Sequence, residues 1–295
     1  MTNADDIMAL AIDGGGTRCR VALSGPRGRE LVETGSANVS TDFEGALVQI
    51  ETGLTQLAQQ SAMTYEALAA LPAFVGLAGV TGPAIADRLA ARLPFATITV
   101  EDDRPAALRG ALGARDGVLA HCGTGSFYAS QIGGRVRLAG GWGSVLGDEA
   151  SAAWIGRIAL GRTLECADGR RPASPLSDHF LSSLDGTAGI VRFAGTARPS
   201  DFGALAREVT DHAERGDPLA KGIMQAGADE IARALPLMGW EPGRAICLTG
   251  GIGPLFAPYL SDDMQSDLTT PEGQPLDGAL ALARDLARET GHDGN

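Results

Sequence analysis

The sequence predicts an α/β fold built from two related halves, residues 1–114 and 115–295. Three strand-like segments in succession are followed by alternating helices and strands, an order typical of a mixed sheet with helices packed on both faces. After Gly113 the same order begins again with a second group of three strands. A length of 295 residues also favours two domains over one.

Composition narrows the class of protein. The net charge is −12, which argues against nucleic acid or an anionic membrane as the main partner. The four cysteines are far apart and form no CxxC pair, so we expect reduced thiols in a cytoplasmic protein. Residues 1–6 are polar and acidic, unlike a signal peptide, and no apolar run approaches the ~20 residues of a membrane span.

The first half opens with a meander of three strands, at residues 7–12, 18–24 and 29–34. A helix follows near Asp42, a good capping residue, because its apolar positions are spaced by three or four residues. Residues 73–78 form a buried strand that ends at Gly79, and Pro83 opens the next helix. A strand at 96–100 then leads through an acidic triplet into an alanine-rich helix that begins near Pro105.

The second half repeats the meander, with strands at 118–122, 127–132 and 135–139. We expect a helix over about 149–160, a mobile loop over 163–175 because of its Pro, Gly and Arg content, and helices over 176–238. A last buried strand at 245–248 and a terminal helix at 276–288 complete the chain.

The chain is organised around a glycine turn between the first two strands, Asp13-Gly14-Gly15-Gly16-Thr17. Its strand–turn–strand setting differs from Rossmann and Walker loops, which lead into a helix. Here backbone N–H groups and the Thr17 hydroxyl could contact a phosphate, and Asp13 could hold hydrated Mg²⁺. Taken alone, the stretch fits a hairpin turn without a ligand equally well.

Two further glycine turns favour the ligand. Gly123-Thr124-Gly125-Ser126 again lies between two strands, and Thr249-Gly250-Gly251-Ile252-Gly253 precedes a short helix. Three such turns, each after an apolar strand, are more specific than one. We expect the first two to grip phosphates from opposite sides and the third to lie along an adenosine.

These turns resemble the phosphate 1, phosphate 2 and adenosine motifs of the actin, Hsp70 and sugar-kinase superfamily. Within it, Gly140-Gly141-Trp142-Gly143 followed by Gly147-Asp148-Glu149 resembles the BadF/BadG-type ATPase family, which includes N-acetylglucosamine kinase. The resemblance implies a two-lobed, actin-like (ribonuclease H-like) fold with ATP and Mg²⁺ in the cleft. It also implies transfer of the γ-phosphate to a sugar hydroxyl.

The resemblance also implies site residues. Asp103, favoured over Asp102, is the expected base for the hydroxyl proton, and the alternative is a helix cap without a catalytic role. The expected sugar contacts are Asn38, Gly79, Gly141, Trp142, Gly143 and Asp148. The alternatives are a core aromatic for Trp142, a first-turn helix charge for Asp148 and a loop amide for Asn38.

Two departures from the family pattern leave it undecided whether the chain has a pocket for an N-acetyl group. Ala150 stands where the family usually has glycine after Asp-Glu, and Val39-Ser40 follow Asn38 where the animal enzyme has aromatic residues.

The leading hypothesis is an ATP-dependent kinase for the 6-hydroxyl of N-acetylglucosamine or glucosamine. An alternative is a BadF/BadG-type ATPase that activates a redox partner, but those proteins carry paired cysteines, whereas Cys122 and Cys166 are single. A sugar-binding regulator without catalysis is a third possibility that lacks support. The choice of sugar and the quaternary state, including a homodimer, stay open.

Overall fold

The computed structural model describes residues 7–291. The expectation for residues 1–6 therefore lies outside the described residues. Contacts divide the chain into two compact units. The first contains the chain up to Ala114 and from Pro271 onward, and the second contains Arg115–Thr270.

The first unit holds a five-stranded sheet of order β3-β2-β1-β4-β5. The first three strands are antiparallel neighbours, and β4 and β5 continue the sheet parallel to β1. In chain order the elements are β1 (Ala9–Gly14), β2 (Cys19–Gly25), β3 (Gly28–Thr34), α1 (Phe43–Ser61), α2 (Tyr65–Ala69), β4 (Ala73–Leu77), α3 (Pro83–Ala90), β5 (Ile98–Glu101) and α4 (Arg104–Leu112).

The second unit repeats this topology, with sheet order β10-β9-β6-β7-β8. Three antiparallel strands are again extended by two parallel ones, so the two halves share a sheet topology. Its elements are β6 (Gly117–Cys122), β7 (Ser126–Ile132), β8 (Arg135–Gly140), α5 (Ala152–Ala167), α6 (Pro175–Ser183), α7 (Gly186–Thr196), α8 (Pro199–Ala204), α9 (Ala206–Glu214), α10 (Pro218–Leu237), β9 (Ala245–Thr249), a 3₁₀ helix (Gly253–Tyr259), α11 (Asp262–Ser266) and β10 (Leu268–Thr269).

The last helix, α12 (Pro275–Glu289), lies in the first unit. The second half, expected to span 115–295, therefore ends earlier than expected, at Thr270. The physical reason is a face of small and apolar residues on α12, which includes Ala279 and Ala283 and packs on Ala9 and Ala11 of β1. Gly278 allows close approach to α4, because a Cβ at this position would lie 2.0 Å from the Ala106 carbonyl oxygen.

Strand β1 is buried on both faces, as its continuous apolar sequence predicts. Leu10 and Ile12 contribute to the cluster that includes the apolar face of α1, whereas Ala9 and Ala11 contribute to the cluster under α12. This packing fixes the carboxyl end of β1, where the first glycine turn begins. Helix α1 starts as expected, because the Asp42 side chain accepts the N–H of Gly45.

Helix α5 differs from the expectation at both ends. It begins at Ala152 because Asp148 and Ala150 have positive φ angles, which interrupt a helix. It continues to Ala167, so the expected loop over 163–175 was wrong for its first five residues. None of the helices within residues 7–291 has the length and apolar character needed to cross a membrane.

Candidate active site

The first glycine turn has one glycine that packing requires and two that it does not. A Cβ on Gly14 would lie 2.5 Å from Leu77 Cδ2 and 3.0 Å from Ala37 Cβ. A Cβ on Gly15 or Gly16 would meet no atom within 4 Å, and neither residue has a positive φ. Neither packing nor the backbone conformation therefore explains why Gly15 and Gly16 lack side chains. Their open backbone is free for close approach by a ligand.

Two neighbouring loops are bonded to this turn. The Ala78 N–H donates to the Gly14 carbonyl at 2.8 Å, and the Ala37 N–H donates to the Gly15 carbonyl at 3.0 Å. The Val39 N–H in turn donates to the Ala78 carbonyl at 3.2 Å. The loops after β1, β3 and β4 therefore form one hydrogen-bonded edge of the first unit.

Asn38 and Gly79 lie together at this edge. Asn38 Oδ1 accepts bonds from the Ser40 N–H at 3.0 Å and from Ser40 Oγ at 2.7 Å. Gly79 has a φ of +91°, and a Cβ there would lie 2.6 Å from Asn38 Oδ1. The alternative that Asn38 is only a structural loop amide thus explains its Oδ1, which holds Ser40. It does not explain Nδ2, which makes no hydrogen bond within residues 7–291.

Asp13 lies at the end of β1 and pairs with Arg20, its cross-strand neighbour on β2. The Asp13 carboxylate accepts a hydrogen bond from Arg20 Nη2. Burial raises the pKa of Asp13, and the Arg20 charge opposes this increase. The Arg20 Nε atom is buried without a partner among the described residues. The second oxygen of Asp13, Oδ1, also makes no hydrogen bond in this part of the chain.

The two candidate bases differ sharply in their surroundings. Asp102 accepts bonds from the Arg104 N–H and Nε, both at 2.9 Å, and from Arg104 Nη2 at 2.8 Å. Asp103 occupies the cap position of α4, but its side chain caps no N–H group. Burial, followed by the charges of Asp102 and Asp13, raises the pKa of Asp103 to about 6. Asp103 is therefore a carboxylate without a guanidinium partner and with increased basicity.

The second glycine turn connects directly to helix α5. The Gly123 N–H bonds the Gly125 carbonyl at 2.9 Å, and the Ala152 N–H bonds the Gly123 carbonyl at 2.9 Å. Thr124 is exposed, whereas Ser126 is buried and its hydroxyl donates to the Glu149 carbonyl at 2.6 Å. The Ser126 side chain thus holds the following segment in place, and Thr124 presents the free hydroxyl of the turn.

Asp148 lies against this turn. A Cβ on Gly125 would lie 2.8 Å from Asp148 Oδ2. Burial raises the pKa of Asp148, and the backbone N–H groups of Ser126 and Gly143 oppose the increase. Asp148 has a φ of +59°, a strained conformation for a residue with a side chain. Asp148 therefore bridges the glycine turn and the Gly-Trp-Gly segment and does not serve as a first-turn helix charge.

Trp142 is 73% exposed, so the alternative of a core aromatic was wrong. Its glycine neighbours, Gly141 and Gly143, have φ angles of +74° and +85°, which favour glycine and hold the indole on a sharply bent segment. Ala150 has a φ of +62°. Ala150 thus has a left-handed backbone conformation, which suits the glycine that the family usually has at this position.

A cavity of about 560 Å³ adjoins the second and third glycine turns. The turns contribute Thr124 and Gly251 among other residues, and α9 contributes Ala206, Arg207 and Thr210. The three α9 residues were missed from the sequence, because they lie about 80 residues after the second turn and about 40 residues before the third. Only the helical periodicity of 176–238 hinted at this wall, without specifying the face.

The third glycine turn again separates structural from open positions. Gly250 has a φ of +82°, and a Cβ there would lie 2.2 Å from the Cys122 carbonyl oxygen. A Cβ on Gly251 would meet no atom within 4 Å. The backbone conformation and close packing at Gly250 therefore favour glycine, whereas Gly251 offers open backbone to the cavity.

Comparisons with known proteins identify the family. The model of the BadF/BadG/BcrA/BcrD ATPase family matches residues 10–260. Glucosamine kinase GspK of Vibrio cholerae is 31% identical over 93% of this chain and 95% of its own length. An N-acetylmuramic acid/N-acetylglucosamine kinase of Clostridium acetobutylicum is 27% identical over 75% of this chain and 76% of its own.

A solved structure extends the agreement to the fold. The crystal structure of a candidate N-acetylglucosamine kinase from Chromobacterium violaceum aligns with a TM-score of 0.80 at 30% identity, over 95% of this chain and 99% of that one. The likeness confirms the expected two-lobed, actin-like α/β fold. By its sequence motifs, its fold and the matched family model, the chain belongs to the BadF/BadG/BcrA/BcrD ATPase family.

Proposed function

We propose that this protein is an ATP-dependent kinase that phosphorylates the 6-hydroxyl of an amino sugar, glucosamine or N-acetylglucosamine. The observation that carries the proposal is Asp103, a carboxylate without a guanidinium partner and with a pKa raised to about 6. The open glycines of the first and third turns and the kinases among the relatives support it.

In the first unit, the backbone of Gly14, Gly15 and Gly16 and the hydroxyl of Thr17 bind phosphate oxygens of ATP. Mg²⁺ commonly binds one or two protein carboxylates together with substrate phosphates, and Asp13 has a free Oδ1 for this role. The metal would supply charge neutralisation on the phosphates. The Arg20 charge opposes the increase in the Asp13 pKa that burial causes and so favours the ionised carboxylate, the form that binds a metal ion.

In the second unit, Gly123, Thr124, Gly125 and the segment begun by Ser126 bind the phosphates. Gly250 and Gly251 line the nucleoside site. The 560 Å³ cavity beside them falls within the range of roughly 300–1,000 Å³ that is typical of small-molecule sites. Arg207 and Thr210 add polar groups to a wall that is otherwise apolar.

Each unit offers polar groups of its own for a sugar, Asn38 in the first and Asp148 in the second. Asp148, whose pKa is lowered by the nearby backbone N–H groups of Ser126 and Gly143 against the larger effect of burial, binds sugar hydroxyls. Trp142 offers an exposed apolar face to the ring, flanked by the backbone of Gly141 and Gly143. Asn38 offers its free Nδ2 group next to Gly79.

Asp103 accepts the proton of the 6-hydroxyl as that oxygen attacks the γ-phosphorus of ATP. The bond between the γ-phosphorus and the β–γ bridging oxygen breaks, and ADP leaves. A base is most effective when its pKa lies near the working pH. With a pKa of about 6, Asp103 is ionised at neutral pH and more basic than an ordinary aspartate. Asp102 is unsuited to this step because Arg104 already occupies its carboxylate with three hydrogen bonds.

The test is ADP release by the purified protein with Mg²⁺-ATP and, separately, glucosamine, N-acetylglucosamine, glucose and N-acetylmannosamine. We expect release that depends on one of the two glucosamine sugars, with phosphate at O6 of the product by NMR. Sugar-independent ATP hydrolysis that rises with a protein partner would instead support the activator function. The four cysteines form no disulfide within residues 7–291, and three of them are buried, which fits a cytoplasmic location for this reaction.

A further inference from the structure

A groove of about 310 Å³ lies between α5 and α10 in the second unit. It is distinct from the cavity at the glycine turns, with which it shares no lining residue. Its lining residues on α5 begin with Trp154 and recur at helical spacing to Glu165. This volume is at the small end of ligand sites, so it suits a monosaccharide-sized molecule.

Charged side chains line much of the groove, and its four arginines outnumber its three carboxylates, Glu165, Asp229 and Glu230. Arg171 and Arg233 are paired with acidic residues of the same wall, Glu165 and Glu230. Arg157 and Arg162 also line the groove. Within residues 7–291, neither of these two makes a hydrogen bond or an ion pair. The charge of Glu165 acts on Arg162 without a direct contact, so both guanidinium groups keep their N–H donors for a ligand.

Arg162 is the more constrained of the two unpaired groups. It is partly buried, and burial followed by the charge of Arg171 lowers its pKa from the ordinary value. A cation that is desolvated beside another cation is relieved by a bound anion. Guanidinium groups bind phosphate through paired N–H donors, which suits them to this ligand.

Two other features indicate an organic phosphate and not an inorganic anion alone. The Trp154 indole lines the groove and offers a flat apolar face with an N–H donor at its edge. Gly161 also lines it, in the middle of α5, and a Cβ there would meet no atom within 4 Å. Glycine is unfavourable in the interior of a helix. Because no protein contact requires a glycine at position 161, we infer that the missing side chain leaves space for a ligand.

We propose that this groove is a second ligand site, which binds a monosaccharide phosphate with its phosphate on Arg157 and Arg162 and its ring on Trp154. The proposed kinase reaction yields such a molecule, so identification of the ligand with the reaction product rests on the proposed function. Binding at the groove does not.

The experiment uses Trp154 as the reporter. The sequence contains three tryptophans, so a full-length variant with Trp142→Phe and Trp240→Phe emits from Trp154 alone. We titrate it without ATP, using glucosamine 6-phosphate, AMP, glucosamine and inorganic phosphate. We expect a saturable change with glucosamine 6-phosphate and at least tenfold weaker binding of the other three.

Substitutions then locate the site. Arg162→Gln should weaken binding at least tenfold, and Gly161→Leu, which fills the groove, should abolish it. Arg170→Gln is the matched control. It removes a nearby arginine that pairs with Glu165 but does not line the groove, so this variant should bind normally. Circular dichroism and a thermal melt confirm that each variant folds.

Three results would overturn the proposal. The first is no saturable response of Trp154, the second is equal binding by Arg162→Gln, and the third is inorganic phosphate or AMP binding as tightly as the sugar phosphate. Because ATP is absent, failure of the Trp154 titration leaves the kinase function untouched. Failure of sugar-dependent ADP release likewise leaves the groove site intact and removes only its link to the product.

Discussion

Asp102 and Asp103 are adjacent in sequence, yet Arg104 binds only the first of them. Three hydrogen bonds from Arg104 occupy the Asp102 carboxylate. Asp103 is left with burial and the neighbouring charges of Asp102 and Asp13, and its pKa rises to about 6. This division assigns a structural role to one carboxylate and leaves the other free for chemistry.

The first prediction concerns turnover. Asp103→Asn removes the proton acceptor but keeps the shape of the side chain, so kcat should fall at least about 100-fold. The affinity for ATP, measured by equilibrium binding, should stay within a few-fold. Asp102→Asn is the matched control, and its kcat should fall less than about tenfold because it acts only through the placement of Arg104. Near-normal turnover of Asp103→Asn would contradict the assignment of Asp103 as the base.

The second prediction concerns pH. An unperturbed aspartate, as in the unfolded chain, has a pKa of 3.8, whereas the pKa of Asp103 in the folded protein is about 6. The folded state therefore favours the protonated form of Asp103. Its ionisation therefore destabilises the fold, and the penalty grows as pH rises from about 4 to above 6. Asp103→Asn removes the penalty and should raise the free energy of unfolding by about 1.5 kcal/mol at pH 5 and about 3 kcal/mol at pH 7.5.

Urea unfolding of both proteins at the two pH values measures this difference. The wild-type kcat/KM should also rise with pH through about 6, as the base ionises. A stability difference that does not change between pH 5 and pH 7.5 would contradict the raised pKa.

The third prediction concerns Arg20. Arg20→Gln leaves Asp13 as an unpaired buried carboxylate, because the Asp13 side chain is only 10% exposed. The loss should be about 3 kcal/mol at pH 7.5. It should be smaller at pH 5, since removal of Arg20 raises the pKa of Asp13 further and the carboxylate protonates more readily.

Arg18→Gln provides the control, because Arg18 lies immediately before β2, two residues from Arg20. Arg18 lies 3.6 Å from Glu33, and both side chains are more than half exposed, so its loss should change stability by less than about 0.5 kcal/mol. Equal losses for the two variants would show that the Asp13–Arg20 pair is not the stabilising contact.

Much of the fold could be predicted from sequence because its signals are local. The strand–glycine turn–strand units follow from apolar runs and glycines at their ends, and the start of α1 follows from Asp42 as a cap. The position of α12 could not be predicted, because a face of small residues such as Ala279 and Ala283 fits many sheets equally well. Only the tertiary contacts with β1 select one.

The candidate site divides in the same way. The glycine turns could be found by pattern, and the resemblance favoured Asp103 over its neighbour. The pairing of Asp102 with Arg104 depends on side-chain conformation, which the order of residues does not specify. The contribution of Arg207 and Thr210 to the cavity depends on how α9 packs, a contact between distant parts of the chain.

The last prediction separates the two roles of glycine in the third turn. Gly250→Ala should destabilise the protein by at least about 2 kcal/mol, because a positive φ and a contact of 2.2 Å with the Cys122 carbonyl oxygen both oppose a side chain. Gly251→Ala should leave the melting temperature nearly unchanged, because its Cβ meets no atom within 4 Å. If the open space is where the nucleoside lies, the same substitution should raise the KM for ATP about tenfold or more, while the KM for the sugar changes little. Thermal melts and steady-state kinetics on the two variants test both statements. A Gly251→Ala variant with a wild-type KM for ATP would place the nucleoside elsewhere in the second unit.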